Sequence, residues 1–156
     1  MTRTGGCACG ALRYEVDNEP MFLQACHCTG CQTSTGSAFI MTWMTESSNF
    51  RLVQGEPKVF DAFTGSSGET YDFNTCGRCG TGLWANIKGC ANGITFLRAG
   101  TLDDTRDISP MAHIYTKSKQ NWMLLPEDVP CFDEAYAREE LWPPESLARL
   151  AALPGD

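Results

Sequence analysis

The chain has 156 residues, nine of them cysteine, and its 19 acidic residues outnumber its 12 basic ones, which gives a formal net charge of −7. A charge of this sign does not attract nucleic acid or an anionic membrane surface, so we expect neither as a partner. No stretch is apolar for long enough to cross a bilayer, and the length predicts one domain with a core of its own.

The cysteine content favours metal binding over disulfide bonds. Residues 1–6 contain no apolar signal core, and the cysteine total is odd, whereas the disulfide framework of a secreted domain generally uses an even number. In a reducing cytosol the same residues stay as thiols that can bind a metal. We therefore expect a soluble, cytoplasmic protein.

Short β-branched or alternating runs, separated by Gly, Asn, Asp and Pro, extend from Leu12 to about Trp122 and predict strands. Examples are residues 11–16, 38–44, 59–63, 94–99 and 113–115, with turns at 17–18, 65–68 and 92–93. Helical periodicity appears only near the end, where residues 134–141 and 144–153 each predict a short helix, with Pro143 and Pro144 between them. This pattern predicts a mainly β, antiparallel domain with a short helical C-terminal tail.

Seven of the nine cysteines fall into three tight groups. Cys7 and Cys9 are two residues apart, so on an extended segment both side chains leave the same face. Cys76 and Cys79 have the spacing of a zinc knuckle, in which a small glycine lets the backbone turn tightly enough for both sulfurs to reach one ion. Because four thiolates close a tetrahedral zinc site, these two pairs predict a structural zinc that joins the N-terminal segment to a distant hairpin.

The third group, Cys26, Cys28 and Cys31, combines both spacings and gathers three thiolates around one point. Three ligands leave a zinc ion with a fourth position for water or substrate, so this group is the candidate catalytic site. Three thiolates acidify a zinc-bound water less than three imidazoles would, so a soft thiol substrate suits the site better than hydrolysis does.

The alternative for the third group is a second structural zinc that is closed by Cys90, Cys131 or His113. Cys90 and Cys131 have no partner at metal spacing, which favours a small buried side chain at each position. His27 lies between two ligands and would project from the opposite face of a strand, so we expect it in the core or in a supporting role. His113 lies in an apolar run, which favours a hydrogen-bonded core histidine over a proton carrier.

Three further features have a structural and a functional interpretation. Residues 29–37 are rich in hydroxyls and glycine, and they predict either an ordinary knuckle turn or donors to a substrate oxyanion. Asp103 and Asp104 would face opposite ways on a strand, which favours a solvated turn over an acid and base pair. The aromatic residues expected in the core, with one or two in a pocket wall, are Trp43, Trp84, Trp122, Phe39 and Phe73.

With these residues identified, the chain resembles the glutathione-dependent formaldehyde-activating enzyme family, also called the CENP-V/GFA domain. The resemblance rests on the order of the cysteine groups and on residues 6–14, 26–39, 76–83, 100–104 and 113–132. It implies an antiparallel β-tent fold in a domain of residues 1–136. Residues 137–156 would then form a tail rather than a separate domain.

The resemblance also implies two zinc ions per chain and a reaction. The structural zinc would bind Cys7, Cys9, Cys76 and Cys79, and the catalytic zinc Cys26, Cys28 and Cys31. The reaction that names the family joins glutathione to formaldehyde, which implies a carbon-sulfur lyase acting on a small thiol and a small aldehyde. Gln32 stands where the family commonly has Arg or Lys, so a cation that would pair with a glutathione carboxylate is missing here, and the substitution Gln32→Arg is expected to tighten glutathione binding.

Two other functions stay open at the level of sequence. The family's centromeric members imply a non-enzymatic binding module with two structural zinc ions, although such a module would need a basic surface and this chain is acidic. A thiol carrier that binds without turnover would use the same residues as the enzyme. For the tail, few apolar side chains beyond Arg138 and the break at Pro143 predict that its removal leaves both metals bound.

Overall fold

The computed structural model describes residues 1–64, 68–88 and 93–153. The turns expected at 65–68 and 92–93 lie mostly outside this part of the chain, and Cys90 lies outside it too. The ten strands within it are β1 (Thr2–Gly6), β2 (Arg13–Asp17), β3 (Phe22–Cys26), β4 (Ile40–Glu46), β5 (Phe50–Gln54), β6 (Pro57–Thr64), β7 (Thr70–Cys76), β8 (Gly82–Ile87), β9 (Ile94–Arg98) and β10 (Ala112–Ile114).

The strands form two sheets. The small sheet has the order β1-β2-β5, and the large sheet has the order β10-β3-β4-β9-β8-β7-β6. Neighbouring strands are antiparallel except β10 and β3, which run parallel. The mainly β fold predicted from the sequence is confirmed, and the parallel pair at the edge of the large sheet is a feature that the alternation of residues did not predict.

One face of the large sheet packs against the small sheet. Successive residues of a strand point to opposite faces, so cross-strand partners share a face. Leu23, Trp43, Leu97 and Trp84 form one such row across β3, β4, β9 and β8, and all four are buried in a core that includes Tyr14 of the small sheet. Burying side chains of this size stabilises the fold by about 1.5–3 kcal/mol each.

The C-terminal segment covers the other face. Phe22 and Met44 are cross-strand partners on this face, and the ring of Trp142 stacks on Phe22 with centroids 5.3 Å apart. Leu147 and Leu150 pack against the same cluster, although the sequence had indicated few apolar contacts beyond Arg138. The tail is therefore docked on the large sheet along one side of a helix.

The described residues also form three α-helices: α1 (Thr29–Thr35), α2 (Arg138–Leu141) and α3 (Pro144–Ala151). The break predicted at Pro143 is present, since Pro143 caps α3 in an extended conformation. The helix predicted for residues 134–141 is shorter than expected. Residues before Ala137 run beside β10 instead, where the Phe132 N–H donates to the His113 carbonyl at 2.9 Å and the Tyr115 N–H donates to the Glu134 carbonyl at 3.1 Å.

Residues 29–37, interpreted as a loop, contain helix α1. Cys28 caps the helix because its sulfur accepts the N–H of Cys31 at 3.3 Å, and Gly36 ends it with φ of 63°. A seven-residue helix without buried residues carries no apolar periodicity, so the usual sequence signal was missing.

The first strand lies earlier than expected, since β1 precedes Leu12. Its two glycines have low strand propensity, but pairing with β2 provides a full ladder. At Gly5 any side chain is excluded, because a Cβ would lie 2.3 Å from the Tyr14 hydroxyl oxygen. Gly5 weakened the prediction of a strand from the sequence, but the close packing of β1 on the buried Tyr14 requires a glycine at this position.

Of the five aromatic residues expected in the core, Trp122 is not there. Its side chain is 70% exposed, and its indole N–H donates to the Gln120 side chain at 2.6 Å. The segment around it belongs to neither sheet, so no apolar face is available to bury it. None of the helices in the described ranges has the length and apolar character needed to span a bilayer.

Candidate metal centres and cavity

The first cysteine group joins two distant parts of the chain. Cys7 and Cys9 follow β1, Cys76 ends β7, and Cys79 lies in the turn before β8. The four sulfur atoms all lie within 4.8 Å of one another, with Cys7 to Cys9 at 3.5 Å and Cys9 to Cys76 at 3.8 Å. Tetrahedral zinc with Zn–S bonds of about 2.3 Å separates its sulfurs by about 3.8 Å, so the spacing fits a zinc ion.

Polar groups around this first group favour thiolates at Cys7 and Cys79. The Leu12 N–H donates to the Cys7 sulfur at 3.2 Å, and the Thr81 hydroxyl lies 3.2 Å from the Cys79 sulfur. Hydrogen bonds from the Thr81 hydroxyl and backbone lower the pKa of Cys79 to about 5. A thiol with a lowered pKa is deprotonated at neutral pH, which is the form that a metal binds.

The second group comes from one short segment. Cys26 ends β3, Cys28 caps α1, and Cys31 lies in the first turn of α1. Their sulfur atoms also lie within 4.8 Å of one another. The neighbouring Cys28 thiol raises the pKa of Cys26 to about 12, and the Cys26 and Cys28 thiols raise the pKa of Cys31. Thiols that oppose one another's ionisation in this way are stabilised as thiolates by a cation held between them.

No fourth metal ligand joins the second group among the residues that the structure describes. His113 was one candidate, but its Nδ1 lies 2.9 Å from the Nε2 of His27, and both rings are buried. Cys131, a second candidate, is exposed rather than buried as expected, and its thiol donates to the Val129 carbonyl at 3.3 Å. The third candidate, Cys90, lies outside the described residues.

The two histidines form a pair inside the core. Burial lowers the pKa of His27 to about 4 and also lowers the pKa of His113, so both rings are neutral at physiological pH. His27 also packs against Phe39, with ring centroids 5.4 Å apart. The structure thus buries the His27 side chain in contact with His113, away from the sulfur atoms of Cys26 and Cys28, as expected from its position between these two residues.

Cys26, Cys28 and Cys31 line a cavity of about 240 Å³ on the face of the large sheet that the C-terminal segment covers. The floor includes Thr42 of β4 and Arg98 of β9, which are cross-strand partners. Most of the remaining lining is apolar or aromatic, as in Ile40, Ile114, Phe73, Phe96, Tyr115, Tyr136 and Trp142. The first cysteine group does not line this cavity within the described ranges.

Tyr136 and the tail that follows it complete the cavity wall, which the sequence did not indicate. The Tyr136 hydroxyl donates to the Gln24 side-chain oxygen at 2.7 Å and accepts the indole N–H of Trp142 at 2.9 Å. Arg138 also lines the cavity, with its guanidinium over the Trp142 ring at 5.3 Å from the centroid. These contacts fix the position of the wall that faces the second cysteine group.

Tyr115 and Arg98 are two further cavity residues that the sequence did not single out. Tyr115 packs against Cys26 and Cys28 and has a positive φ of 54°, which is uncommon for a residue other than glycine. Burial, and next the nearby Cys26 and Cys28, raise its pKa. Arg98 follows the buried Leu97, so strict alternation on β9 was the one available signal that it faces the cavity.

Gln32 does not line the cavity, although the sequence analysis gave it a role in substrate choice. Its side-chain amide donates to the carbonyls of His27 and Ser118, each at 2.8 Å. The Gln120 amide donates to the Gln32 side-chain oxygen at 3.3 Å. Gln32 therefore connects α1 to the 3₁₀ turn Thr116–Ser118.

The two aspartates lie on the surface. Asp103 accepts hydrogen bonds from Arg13 and Thr4, and Asp104 accepts one from Arg106 Nε at 3.0 Å. Both are exposed and neither lines the cavity. The structure agrees with a solvated turn rather than an acid and base pair.

The fold and the two cysteine groups define a mainly β protein that could hold two metal ions through thiol ligands. Residues 2–118 match the family model described as glutathione-dependent formaldehyde-activating enzyme. Because the match covers most of the chain, this protein belongs to that family. The family's name indicates enzyme activity in general, and the residues that match include all seven clustered cysteines.

A solved structure has a similar fold. It is a Rhodobacter sphaeroides protein determined as a Northeast Structural Genomics target, with a TM-score of 0.53 and 19% sequence identity. The alignment covers 70% of this chain and 98% of that one. At this identity the likeness supports the fold alone. Residues 119–153, which include the tail side of the cavity, lie beyond the family match.

Proposed function

We propose that this protein is a zinc-dependent carbon-sulfur lyase that forms or cleaves adducts between a small thiol, such as glutathione, and a small aldehyde, such as formaldehyde. One observation carries the proposal: the three-thiol group opens into a cavity, whereas the four-thiol group lies outside it. A ligand group that faces a cavity can admit substrate, and a closed tetrahedral group cannot.

In this proposal each cysteine group holds one zinc ion. Cys7, Cys9, Cys76 and Cys79 hold a structural ion, and Cys26, Cys28 and Cys31 hold a catalytic ion. When bound to the three-thiol group, zinc supplies an electrophilic centre that stabilises a substrate thiol as its thiolate. Seven ligands must stay reduced for both sites to form, so a reducing compartment such as the cytoplasm suits the protein.

The reaction itself is a balanced addition. The substrate sulfur attacks the aldehyde carbon, a C–S bond forms as the C=O π bond opens, and the oxygen takes up the proton that the thiol gave up. Cleavage runs these steps in reverse. No electrons leave the reactants, so neither a redox cofactor nor a protein nucleophile is required.

The cavity residues hold the two reactants together. Phe73, Phe96 and Ile114 line the cavity with apolar surface, which limits its water and favours a small aldehyde beside the bound thiol. Tyr115 is our candidate donor to the developing alkoxide, since it lines the cavity and packs against the cysteine group. Its raised pKa keeps the phenol protonated at neutral pH, as a hydrogen-bond donor must be.

The test is the rate at which S-hydroxymethyl adduct forms from glutathione and formaldehyde, followed by NMR exchange. We expect the purified zinc-loaded protein to accelerate formation over the uncatalysed reaction and Cys28→Ser to abolish the acceleration. Cys131→Ser is the matched control, because Cys131 is exposed and outside both groups, and we expect it to retain the rate.

Other outcomes would support the rival functions. Saturable thiol binding with no acceleration would identify a thiol carrier. A protein that holds both metals yet shows no thiol binding and no acceleration would be a binding module with two structural ions.

A further inference from the structure

Arg98 places a positive charge in the cavity that holds the three-thiol group. It is the last residue of β9, and its neighbour Leu97 is fully buried in the opposite face of the sheet. Alternation along the strand therefore directs Arg98 to the cavity, where it lines the wall together with Cys31. Arg98 also lines a surface depression beside Ser34 and Thr75.

The guanidinium of Arg98 is held in position by packing. Its central carbon lies 5.5 Å from the centroid of the Phe73 ring, within the range of a cation–π contact. A Cβ at position 82 would lie 3.1 Å from that carbon, so the glycine there leaves the space that the guanidinium occupies. The guanidinium is thus oriented by the Phe73 ring and by the backbone at Gly82 rather than by a salt bridge.

Arg98 has no carboxylate within ion-pair distance among the residues that the structure describes. Glu69 lines the same cavity, but it is exposed and accepts a hydrogen bond from the Tyr71 hydroxyl at 3.1 Å. Five of the other seven arginines do have a carboxylate partner, namely Arg3, Arg13, Arg51, Arg106 and Arg149. Burial lowers the pKa of Arg98, because its charge is partly removed from water.

We propose that Arg98 binds a carboxylate of the thiol substrate, so that the cavity selects acidic thiols. This inference rests on the proposed function, since it assumes that the thiol sulfur reaches the three-thiol group. A guanidinium presents parallel N–H donors that match the two oxygens of a carboxylate. A substrate carboxylate would supply Arg98 with an anionic partner, and its position beside the thiols would orient the sulfur toward them.

A second role for Arg98 makes a different prediction. Its charge also interacts favourably with an ionised Cys31, so Arg98 could serve only to balance the negative charge of the thiolates. In that case its removal would weaken the binding of every thiol to the same extent. A carboxylate site would affect only the thiols that carry a carboxylate.

The experiment compares two thiols of matched size, 3-mercaptopropionate and its neutral amide 3-mercaptopropionamide. Cobalt is exchanged for zinc in the full-length protein, and each thiol is titrated while the sulfur-to-cobalt absorption is recorded. We expect the wild-type protein to bind the acid at least about tenfold more tightly than the amide, because a charge-assisted hydrogen bond contributes enough binding free energy for a difference of that size. In Arg98→Gln this preference should disappear while the affinity for the amide stays within about twofold.

Arg106→Gln is the matched control, because Arg106 is a surface arginine away from the cavity. It should keep the full preference, which separates a local site from the net charge of the protein. If Arg98→Gln loses metal, Arg98→Lys replaces it as the variant, and it should retain only part of the preference because its ammonium lacks the planar donors.

The proposal is overturned if both thiols bind the wild-type protein equally, or if Arg98→Gln weakens the acid and the amide alike. It is also overturned if Arg106→Gln removes the preference as well. Absence of any thiol response in the wild-type cobalt protein would contradict the proposed function itself, and the carboxylate site with it. These results are distinct, because the first three require thiol binding and the last excludes it.

Discussion

The two cysteine groups share the same spacings but occupy different structural positions. The four-thiol group joins residues near the start of the chain to the β7–β8 hairpin, and Cys9 and Cys79 are exposed. The three-thiol group comes from residues 26–31 alone, and Cys26 and Cys28 are buried at the cavity wall. A metal that closes a long loop contributes to the stability of the fold, whereas a metal within one short segment closes almost no loop. Under the proposed function, the sequence separation between ligands therefore distinguishes a group with a structural role from one that is available for chemistry.

The largest expected effect tests this contrast directly. Cys76→Ser should destabilise the protein by on the order of 5 kcal/mol or leave it insoluble, because it opens the link between the N-terminal segment and β7. Cys28→Ser should leave a folded protein with about one metal ion fewer. Urea unfolding together with metal content per chain provides the measurement. Equal destabilisation by the two substitutions would remove the distinction between the groups.

The next effect concerns the tail, which packs beside one cysteine group only. Trp142→Ala should lower the free energy of unfolding by about 3–5 kcal/mol, because the indole is buried against Phe22. Both metals should stay bound, since neither group takes a ligand from residues 137–153, the part of the tail that the structure describes, but thiol binding should weaken as the cavity wall loosens.

Trp122→Ala is the matched control for the tail, since that side chain is 70% exposed. It should change the free energy of unfolding by less than about 0.5 kcal/mol. Thermal or urea unfolding and metal analysis check both variants. Loss of metal from the three-thiol group in Trp142→Ala would make the tail part of the metal site, contrary to the independence predicted for it.

The two cysteine groups were predictable from the sequence, including the long-range contact within the four-thiol group, whereas the cavity wall was not. The partition of the cysteines follows from spacing, because two or three residues of backbone already decide whether two sulfurs converge. Arg98, Tyr115 and Trp142 line one cavity only because β9 and β10 belong to the same sheet and the tail packs on one face of that sheet. The sequence around each of these three residues does not indicate that they line the same cavity. Trp122 is the opposite case. Its large aromatic side chain suggested burial, but its segment joins neither sheet and the side chain is exposed.

A third prediction distinguishes the chemistry of the two groups. Tyr115→Phe should slow adduct formation by about a hundredfold, which is the usual contribution of a positioned proton donor, while thiol binding to the cobalt protein stays within about twofold of the wild type. Tyr136→Phe is the matched control, because its hydroxyl is already bonded to Gln24 and Trp142. We expect it to reduce the rate much less. A Tyr115→Phe rate equal to the wild-type rate would exclude this tyrosine as the donor.

The smallest expected effect concerns Gln32, which follows the last cysteine of the three-thiol group. On sequence grounds, Arg at this position was expected to pair with a glutathione carboxylate and to tighten binding. In the structure, the side chain at 32 points to the carbonyls of His27 and Ser118, and a guanidinium there would find the same two acceptors. We therefore expect Gln32→Arg to leave glutathione affinity within about twofold of the wild type, because the added charge stays outside the cavity.

Titration of glutathione and of a small neutral thiol into the cobalt form of Gln32→Arg checks this expectation. The comparison with Arg98→Gln makes the result informative, since both variants change one charge near the same cysteine segment and only Arg98 lines the cavity. A selective gain for glutathione in Gln32→Arg would show that the new guanidinium reaches the substrate. In that case carboxylate recognition would extend across α1, and the side chain at position 32 would have to leave its two carbonyl partners when the thiol binds.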